Sequence, residues 1–168
     1  GQGTVRQSGF CCTGICQDQH GSARIAGRRC RKIAIVHFVN YKKGTQTRGC
    51  MKSVMRYVSQ MSKTLWDGQQ LVSGIGCQPE TAFDEFLSTK LLHHKDGGVM
   101  FYHMVQSFPK GADIDPRTVH EAARRLAGYF ENCEVLVCTH VDREHIHSHC
   151  IINSVNFETG KKVHMADE

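Results

Sequence analysis

The sequence lacks the features that define several large protein classes. No apolar run in its 168 residues approaches the roughly 18 residues of a membrane span, and residues 1–32 lack the apolar centre of a secretion signal. It also contains no glycine-rich Walker loop, no Ser-His-Asp order and no carboxylate pair spaced as in glycosidases. These absences argue against membrane contact, nucleotide-dependent catalysis, serine hydrolysis and glycoside hydrolysis, so catalytic groups must be sought elsewhere.

The cysteines do not form a disulfide framework. Their number, nine, is odd, and those in the second half of the chain are scattered, several of them within apolar runs. Small secreted domains instead use even sets of cysteines at regular spacing. The pattern predicts reduced thiols, and we expect a cytoplasmic protein.

Positive charge divides the chain into two parts. Residues 1–32 contain six Lys or Arg and one Asp, whereas the remaining residues contain fifteen of each sign. Residues 1–32 also lack periodic apolar positions, so we expect a disordered or non-native N-terminal extension. Residues 33–168 would then form one domain, and its abrupt end after a turn predicts truncation at the C-terminus.

Beyond residue 32, apolar periodicity alternates between the strand and helix patterns. Strand-like segments occur at 33–39, 70–77, 99–108, 134–139 and 145–155. Helical spacing occurs at 50–61, 81–94 and 116–130, and Asp115-Pro116 is a typical helix start. Mixed elements in this order predict an α+β domain in which helices pack on a sheet as two layers.

The most informative segment runs from His140 to Asn153. It contains four of the eleven histidines, and three of them, His145, His147 and His149, alternate along the chain. On a strand these three would project from one side, and Cys150 from the other. Neutral imidazoles at this spacing can bind one divalent cation. The carboxylate of Asp142 could orient a ligand ring by accepting its N–H.

A three-histidine site leaves coordination positions open for a phosphoryl oxygen, and attack on such a phosphate requires a nucleophile. Residues 41–66 contain several Lys and Arg residues and no Asp or Glu, a balance that can attract phosphates. Tyr57 lies within this stretch, next to Arg56, and is the best candidate nucleophile. Tyr41, in the loop after the first strand, is its main rival. Lys52, Arg56 and Lys63 are candidate phosphate contacts.

Four segments together resemble the MobA-type mobilisation relaxases of the HUH endonuclease superfamily. The spacing from His140 to Asn153 is similar to the family's metal motif. The segment 51–64 resembles the one that carries the nucleophilic tyrosine. The strand 101–109, which ends in Ser107-Phe, resembles the second motif, and 153–161 resembles the tail after the histidines. The resemblance covers residues 33–168.

The resemblance implies a central antiparallel sheet with helices packed on it, and a site- and strand-specific DNA nickase. Tyr57 would attack a phosphate of single-stranded DNA at an origin of transfer, giving a 5′-phosphotyrosine link and a free 3′-hydroxyl. A divalent cation, Mg or Mn, would be the cofactor. Accessory mobilisation proteins and a coupling protein would be partners.

The resemblance also implies roles for individual residues. Its ligand spacing indicates His147 and His149, with His140 as the third ligand. His145 would then be an outer group or a substitute for His140. Asp142 would orient a histidine, and the strand-end Ser107 would contact the DNA backbone or support the tyrosine.

Two alternatives remain open at this point. The first is a rolling-circle replication initiator, which has similar chemistry at a replication origin. The second is a non-catalytic DNA- or zinc-binding module, in which the histidines hold a closed structural zinc. Such a site would need a fourth ligand, and Cys150 is expected on the opposite strand face from His149.

Overall fold

The computed structural model describes residues 34–164, so the expected extension at 1–32 lies outside the described residues. The strands are β1 Ile35–Phe38, β2 Leu65–Trp66, β3 Gln69–Gln70, β4 Val72–Ile75, β5 Phe101–Ser107, β6 Val135–His140 and β7 His147–Asn153. The helices are α1 Arg48–Val58, α2 Met61–Thr64, α3 Ala82–Leu92 and α4 Pro116–Ala127. Within 34–164, no helix combines the length and apolar character required to cross a membrane, and the cysteines are free thiols.

Among residues 34–164, five strands form one sheet in the order β1-β5-β7-β6-β4, and each neighbouring pair is antiparallel. β7 lies at the centre, between β5 and β6, and every one of its residues pairs with β5. The expected α+β fold with a central antiparallel sheet is therefore confirmed. Within the described residues, β2 and β3 form a separate two-stranded hairpin.

Helices cover both faces of the sheet. α1 and α3 pack on one face, which we call the site face, through a core that includes Met55, Phe86 and Ile151. α4 packs on the other, the far face, through a second core that includes Ala123, Val137 and Ile152. The sequence predicted two layers, and the structure has three. The strands direct apolar side chains to both faces of the sheet, so helices pack on each face.

Local sequence signals explain where the helices begin and end. The Thr47 side chain caps α1 by accepting a hydrogen bond from the Cys50 amide at 3.1 Å. Asp115 caps α4 in the same way, through the Arg117 amide at 2.7 Å, as its sequence predicts. α1 ends at Val58, earlier than the expected residue 61, and α2 follows as a separate turn.

Candidate metal centre and active site

Strand register brings three of the four clustered histidines together on the site face. His140, the last residue of β6, pairs directly with His147, the first residue of β7, and His149 lies two residues further along β7. Side chains at such positions share one face of the sheet. One ring nitrogen from each lies within 4.8 Å of the others. We call these three residues the histidine triad.

Each ring of the triad has one nitrogen engaged in a hydrogen bond within the protein. Nε2 of His140 bonds to the Val58 carbonyl at 2.9 Å, and Nδ1 of His147 to the His145 carbonyl at 3.2 Å. Nδ1 of His149 lies 2.8 Å from Nε2 of His103. In every ring the other nitrogen is left for a ligand, which is the arrangement typical of metal-binding histidines.

The electrostatics of the triad keep its rings neutral. Burial lowers the pKa of His149 to about 2, with the neighbouring histidines adding to the shift. Burial also lowers the pKa of His140 and of His147 below the ordinary value, and the charge of Asp142 opposes part of both shifts. Neutral imidazoles have the lone pair that a cation requires.

The donor set fits a divalent cation. Two nitrogens bound to one ion at about 2.1 Å stand roughly 3–3.5 Å apart, so small ring movements would close the triad on a cation. Cys150 points to the far face, where it lies in the core beneath α4. Within the described residues, the candidate ligands at this position are therefore three imidazoles. Three ligands leave coordination positions open, unlike a closed structural zinc site.

Tyr57 lies beside the triad, in the last turn of α1. Met51, Met55 and Val58 are buried and fix this face of the helix on the sheet, which leaves Tyr57 half exposed, at 50%. Its ring centre is 6.1 Å from that of His140 in an edge-to-face arrangement. Because His140 bonds to the carbonyl of Val58, the helix end that carries Tyr57 is attached directly to the triad.

Lys63 and Asp142 form an ion pair beside Tyr57. The Lys63 ammonium lies 4.9 Å from the centre of the Tyr57 ring and 3.0 Å from an Asp142 carboxylate oxygen. This hydrogen bond raises the pKa of Lys63 above its ordinary value. Partial burial raises the pKa of Asp142, but the bond to Lys63 and its charge outweigh this, and the net pKa is lowered. Asp142 thus contacts Lys63, where the sequence predicted a histidine ring.

The remaining predicted site residues lie at different distances from the triad. Ser107 pairs with His147 across β5 and β7, so it shares the site face. His145 precedes β7, and its ring centre is 5.6 Å from that of His147, while its carbonyl accepts the His147 bond. Arg56 is exposed on α1. Lys52, one turn earlier, lies 5.2 Å over the ring of Phe83 on α3.

Other contacts of the site depend on groups that sequence patterns identify poorly. His103 of β5 contacts His149, and a histidine in so apolar a strand is equally typical of core packing. The hydroxyl of Tyr41, the rival nucleophile, lies 2.9 Å from Nδ1 of His103. The carbonyls of Val58 and His145 carry no sequence signal, because every residue has one.

Part of this sequence is similar to known proteins. A family model described as "Relaxase: MobA/VirD2-like, nuclease domain" matches residues 57–168. The group II intron-interrupted relaxase LtrB of Lactococcus lactis subsp. cremoris (strain MG1363) is 32% identical over 139 residues, which cover 67% of this chain and 24% of that protein. Protein rlx of Staphylococcus aureus is 37% identical over 91 residues, covering 54% of this chain and 29% of that protein.

The chain spans about a quarter of the length of these curated relatives. No solved structure matches it significantly. The segment matched by the family model begins at Tyr57 and contains Lys63, Asp142 and the whole histidine triad. It amounts to more than half of the chain, and this chain therefore belongs to the MobA/VirD2-like relaxase family as a nuclease domain.

Proposed function

We propose that this domain nicks and rejoins single-stranded DNA at an origin of transfer, with the Tyr57 hydroxyl as nucleophile. The observation that carries the proposal is the attachment of the Tyr57 helix end to the triad through the His140–Val58 hydrogen bond of 2.9 Å. A half-exposed phenol beside a three-imidazole site, in a relaxase nuclease domain, is suited to attack a phosphodiester.

The reaction exchanges one ester for another. The Tyr57 oxygen forms a bond to phosphorus, the bond from phosphorus to the 3′-oxygen breaks, and the phenol proton is lost while the 3′-oxygen gains one. The products are a 5′-phosphotyrosine link and a free 3′-hydroxyl, and the reverse reaction rejoins the strand. When bound, Mg or Mn would polarise the scissile phosphate. No nucleotide cofactor is required, because the energy of the phosphodiester is retained in the phosphotyrosine.

Lys63 would stabilise negative charge as it develops on Tyr57 and on the phosphate. Its ammonium lies over the Tyr57 ring and is held there by Asp142, whose hydrogen bond raises the pKa of Lys63. A fixed cation beside the reacting side chain is an electrostatic contribution that needs no rearrangement during the reaction. In this proposal Asp142 acts through Lys63.

The DNA strand would approach along α1. Arg56 is exposed one residue before Tyr57, and Lys52 lies one helical turn further back, so both could contact phosphates that flank the scissile one. Ser107, opposite His147, could contact the backbone on the other side. Accessory mobilisation proteins and a coupling protein would act with the complete protein in the cytoplasm.

A covalent-capture experiment tests the proposal. The protein is incubated with Mn²⁺ and a randomised pool of labelled single-stranded DNA, and an adduct resistant to SDS is sought and mapped. We expect an adduct on Tyr57 that is absent with EDTA and in Tyr57→Phe. Tyr129→Phe is the matched control, because Tyr129 is 82% exposed in the turn after α4.

Two results would contradict the proposal. An adduct that persists in Tyr57→Phe would move the nucleophile elsewhere, first to Tyr41. Intact DNA binding without any adduct in the wild type would indicate a binding module.

A further inference from the structure

Two histidines of the triad have their protons fixed by carbonyl groups. A carbonyl oxygen can only accept a hydrogen bond, so Nε2 of His140 must carry the proton that bonds to Val58, and Nδ1 of His147 the proton that bonds to His145. The lone pairs are consequently on Nδ1 of His140 and on Nε2 of His147. Their tautomers are set by the backbone.

His149 differs, because its partner is a second imidazole. Its Nδ1 lies 2.8 Å from Nε2 of His103, and the two ring centres are 5.0 Å apart. Either ring could donate this hydrogen bond. If His103 donated, the proton of His149 would be on Nε2, and this nitrogen could not bind a cation. The direction of this bond therefore decides whether the triad has three ligands.

Tyr41 occupies the other nitrogen of His103. Its hydroxyl lies 2.9 Å from Nδ1 of His103. The Tyr41 ring is fixed edge-on against Phe101, with centres 5.1 Å apart, and stacks on His103. A hydroxyl can accept a bond and direct its own proton elsewhere, and Tyr41 is only partly buried, so water can take that proton.

We propose that His103 and Tyr41 are positioning residues that hold His149 as a metal ligand, through a relay in which each ring donates outward. Nδ1–H of His149 donates to Nε2 of His103, and Nδ1–H of His103 donates to the Tyr41 hydroxyl. This direction leaves the lone pair of His149 on Nε2. It also gives Tyr41 a role other than nucleophile. The inference rests on the proposed metal site of the relaxase domain.

Mn²⁺ affinity, measured by titration calorimetry, tests the relay without DNA cleavage. His103→Leu removes the acceptor and should weaken Mn²⁺ binding by about 10- to 100-fold, the range seen when such outer partners are removed. His103→Gln keeps an acceptor oxygen at a similar reach and should restore most of the affinity. Tyr41→Phe should lose less than His103→Leu, because it removes only the second bond.

His120→Leu is the matched control. His120 is as buried as His103, at 8% exposure, but it lies on the far face. Its loss should leave Mn²⁺ affinity unchanged. Wild-type affinity in His103→Leu would overturn the relay, and so would equal losses in His103→Leu and His120→Leu, which would indicate general structural damage.

The tautomer of His149 can also be read directly. Long-range ¹H–¹⁵N correlation spectra of the metal-free protein should show the proton of His149 on Nδ1, and this preference should weaken in His103→Leu. A proton on Nε2 in the wild type would overturn the relay. If the wild type bound no Mn²⁺, the proposed metal chemistry would fail, and the spectrum would still decide the relay.

Discussion

His103 on the site face and His120 on the far face are buried to the same extent, but they have different hydrogen-bond partners. His103 on the site face and His120 on the far face are both 8% exposed, and burial lowers the pKa of each to about 4. His120 bonds to two hydroxyls, those of Ser73 and Thr139, each at 2.8 Å. His103 instead bonds at one nitrogen to a ring of the histidine triad.

The comparison shows that burial and a shifted pKa do not by themselves mark a functional histidine. The far-face chain continues from Thr139 to the Ser148 hydroxyl at 2.7 Å, and every member of it can both donate and accept. It satisfies buried groups and connects α4 to the sheet. The site-face chain instead ends at His149, whose ring centre lies 4.5 Å from that of His140 and 5.1 Å from that of His147, so it leads to the other candidate metal ligands.

The largest expected difference between the two faces is in Mn²⁺ binding and DNA capture when one histidine is removed from each. His147→Ala deletes a candidate ligand, so we expect Mn²⁺ binding and covalent capture of DNA both to fall below detection. The same truncation on the far face, His120→Ala, should lower the free energy of unfolding but leave Mn²⁺ binding and covalent capture of DNA intact. Normal Mn²⁺ affinity in His147→Ala would remove this residue from the ligand set.

The second-largest expected difference is in the rate of adduct formation when the cation of an ion pair is removed from each face. Lys63 and Asp142 are 15% and 22% exposed at Tyr57, whereas Arg117, at the start of α4, and Asp67 are 48% and 73% exposed. Lys63→Met should reduce the rate of adduct formation by about 10²-fold, comparable to the loss of one transition-state donor. Arg117→Met serves as the control and should leave the rate unchanged. Equal effects of the two substitutions would argue that Lys63 has no special role.

In acid, His103 and His120 should behave alike. The ordinary histidine pKa is 6.5, so between about pH 6.5 and 4 the unfolded chain binds a proton that the folded imidazole does not. Stability is therefore complete above pH 6.5 and is lost as the pH falls. Each residue should contribute about 1–2 kcal/mol to the loss between pH 7.5 and 5.

Urea unfolding of the metal-free protein at the two pH values measures this effect. His103→Leu and His120→Leu should each reduce the pH-dependent loss of stability by a similar amount. A reduction in only one of the two Leu variants would show that the faces differ in stability as well as in chemistry.

The smallest expected difference concerns DNA binding by surface arginines. Arg56→Gln on the exposed side of α1 should weaken binding of single-stranded DNA a few-fold and lower the salt dependence by about 0.7 in the log–log slope. Arg125→Gln on α4, whose side chain is 80% exposed, is the control and should change neither quantity. An equal loss from both arginines would mean that the DNA path is not confined to α1. Fluorescence anisotropy at several salt concentrations provides the measurement.

Much of the fold was predictable, because strong local signals specify it. The Asp115-Pro116 start of α4 and the alternation of His147 and His149 act within a few residues, and the structure confirms the predicted helix and strand there. The β2–β3 hairpin was missed although Asp67-Gly68 is a typical hairpin turn, and both residues do have positive φ, 49° and 73°. The signal was present but lay between segments too short to show periodicity.

The partners of the candidate site were less predictable, because they depend on register between distant segments. His103 pairs with Ile151 and so lies diagonally across from His149, a relation fixed only when β5 and β7 align. Likewise, Asp142 contacts Lys63 because the Lys63 carbonyl bonds to the Val141 amide at 2.8 Å and brings α2 to the end of β6. Sequence spacing identified the chemical groups but could not pair them.

The hydrogen bond between His140 and the Val58 carbonyl has a consequence for recombining related domains. That carbonyl belongs to the residue after Tyr57, so a single bond of 2.9 Å couples the helix with the candidate nucleophile to the strand with a candidate ligand. A chimaera that takes α1 from one relative and β6–β7 from another would combine a hydrogen-bond donor and an acceptor from two different proteins. Exchange of the two as one cassette would preserve the alignment that neither segment encodes alone.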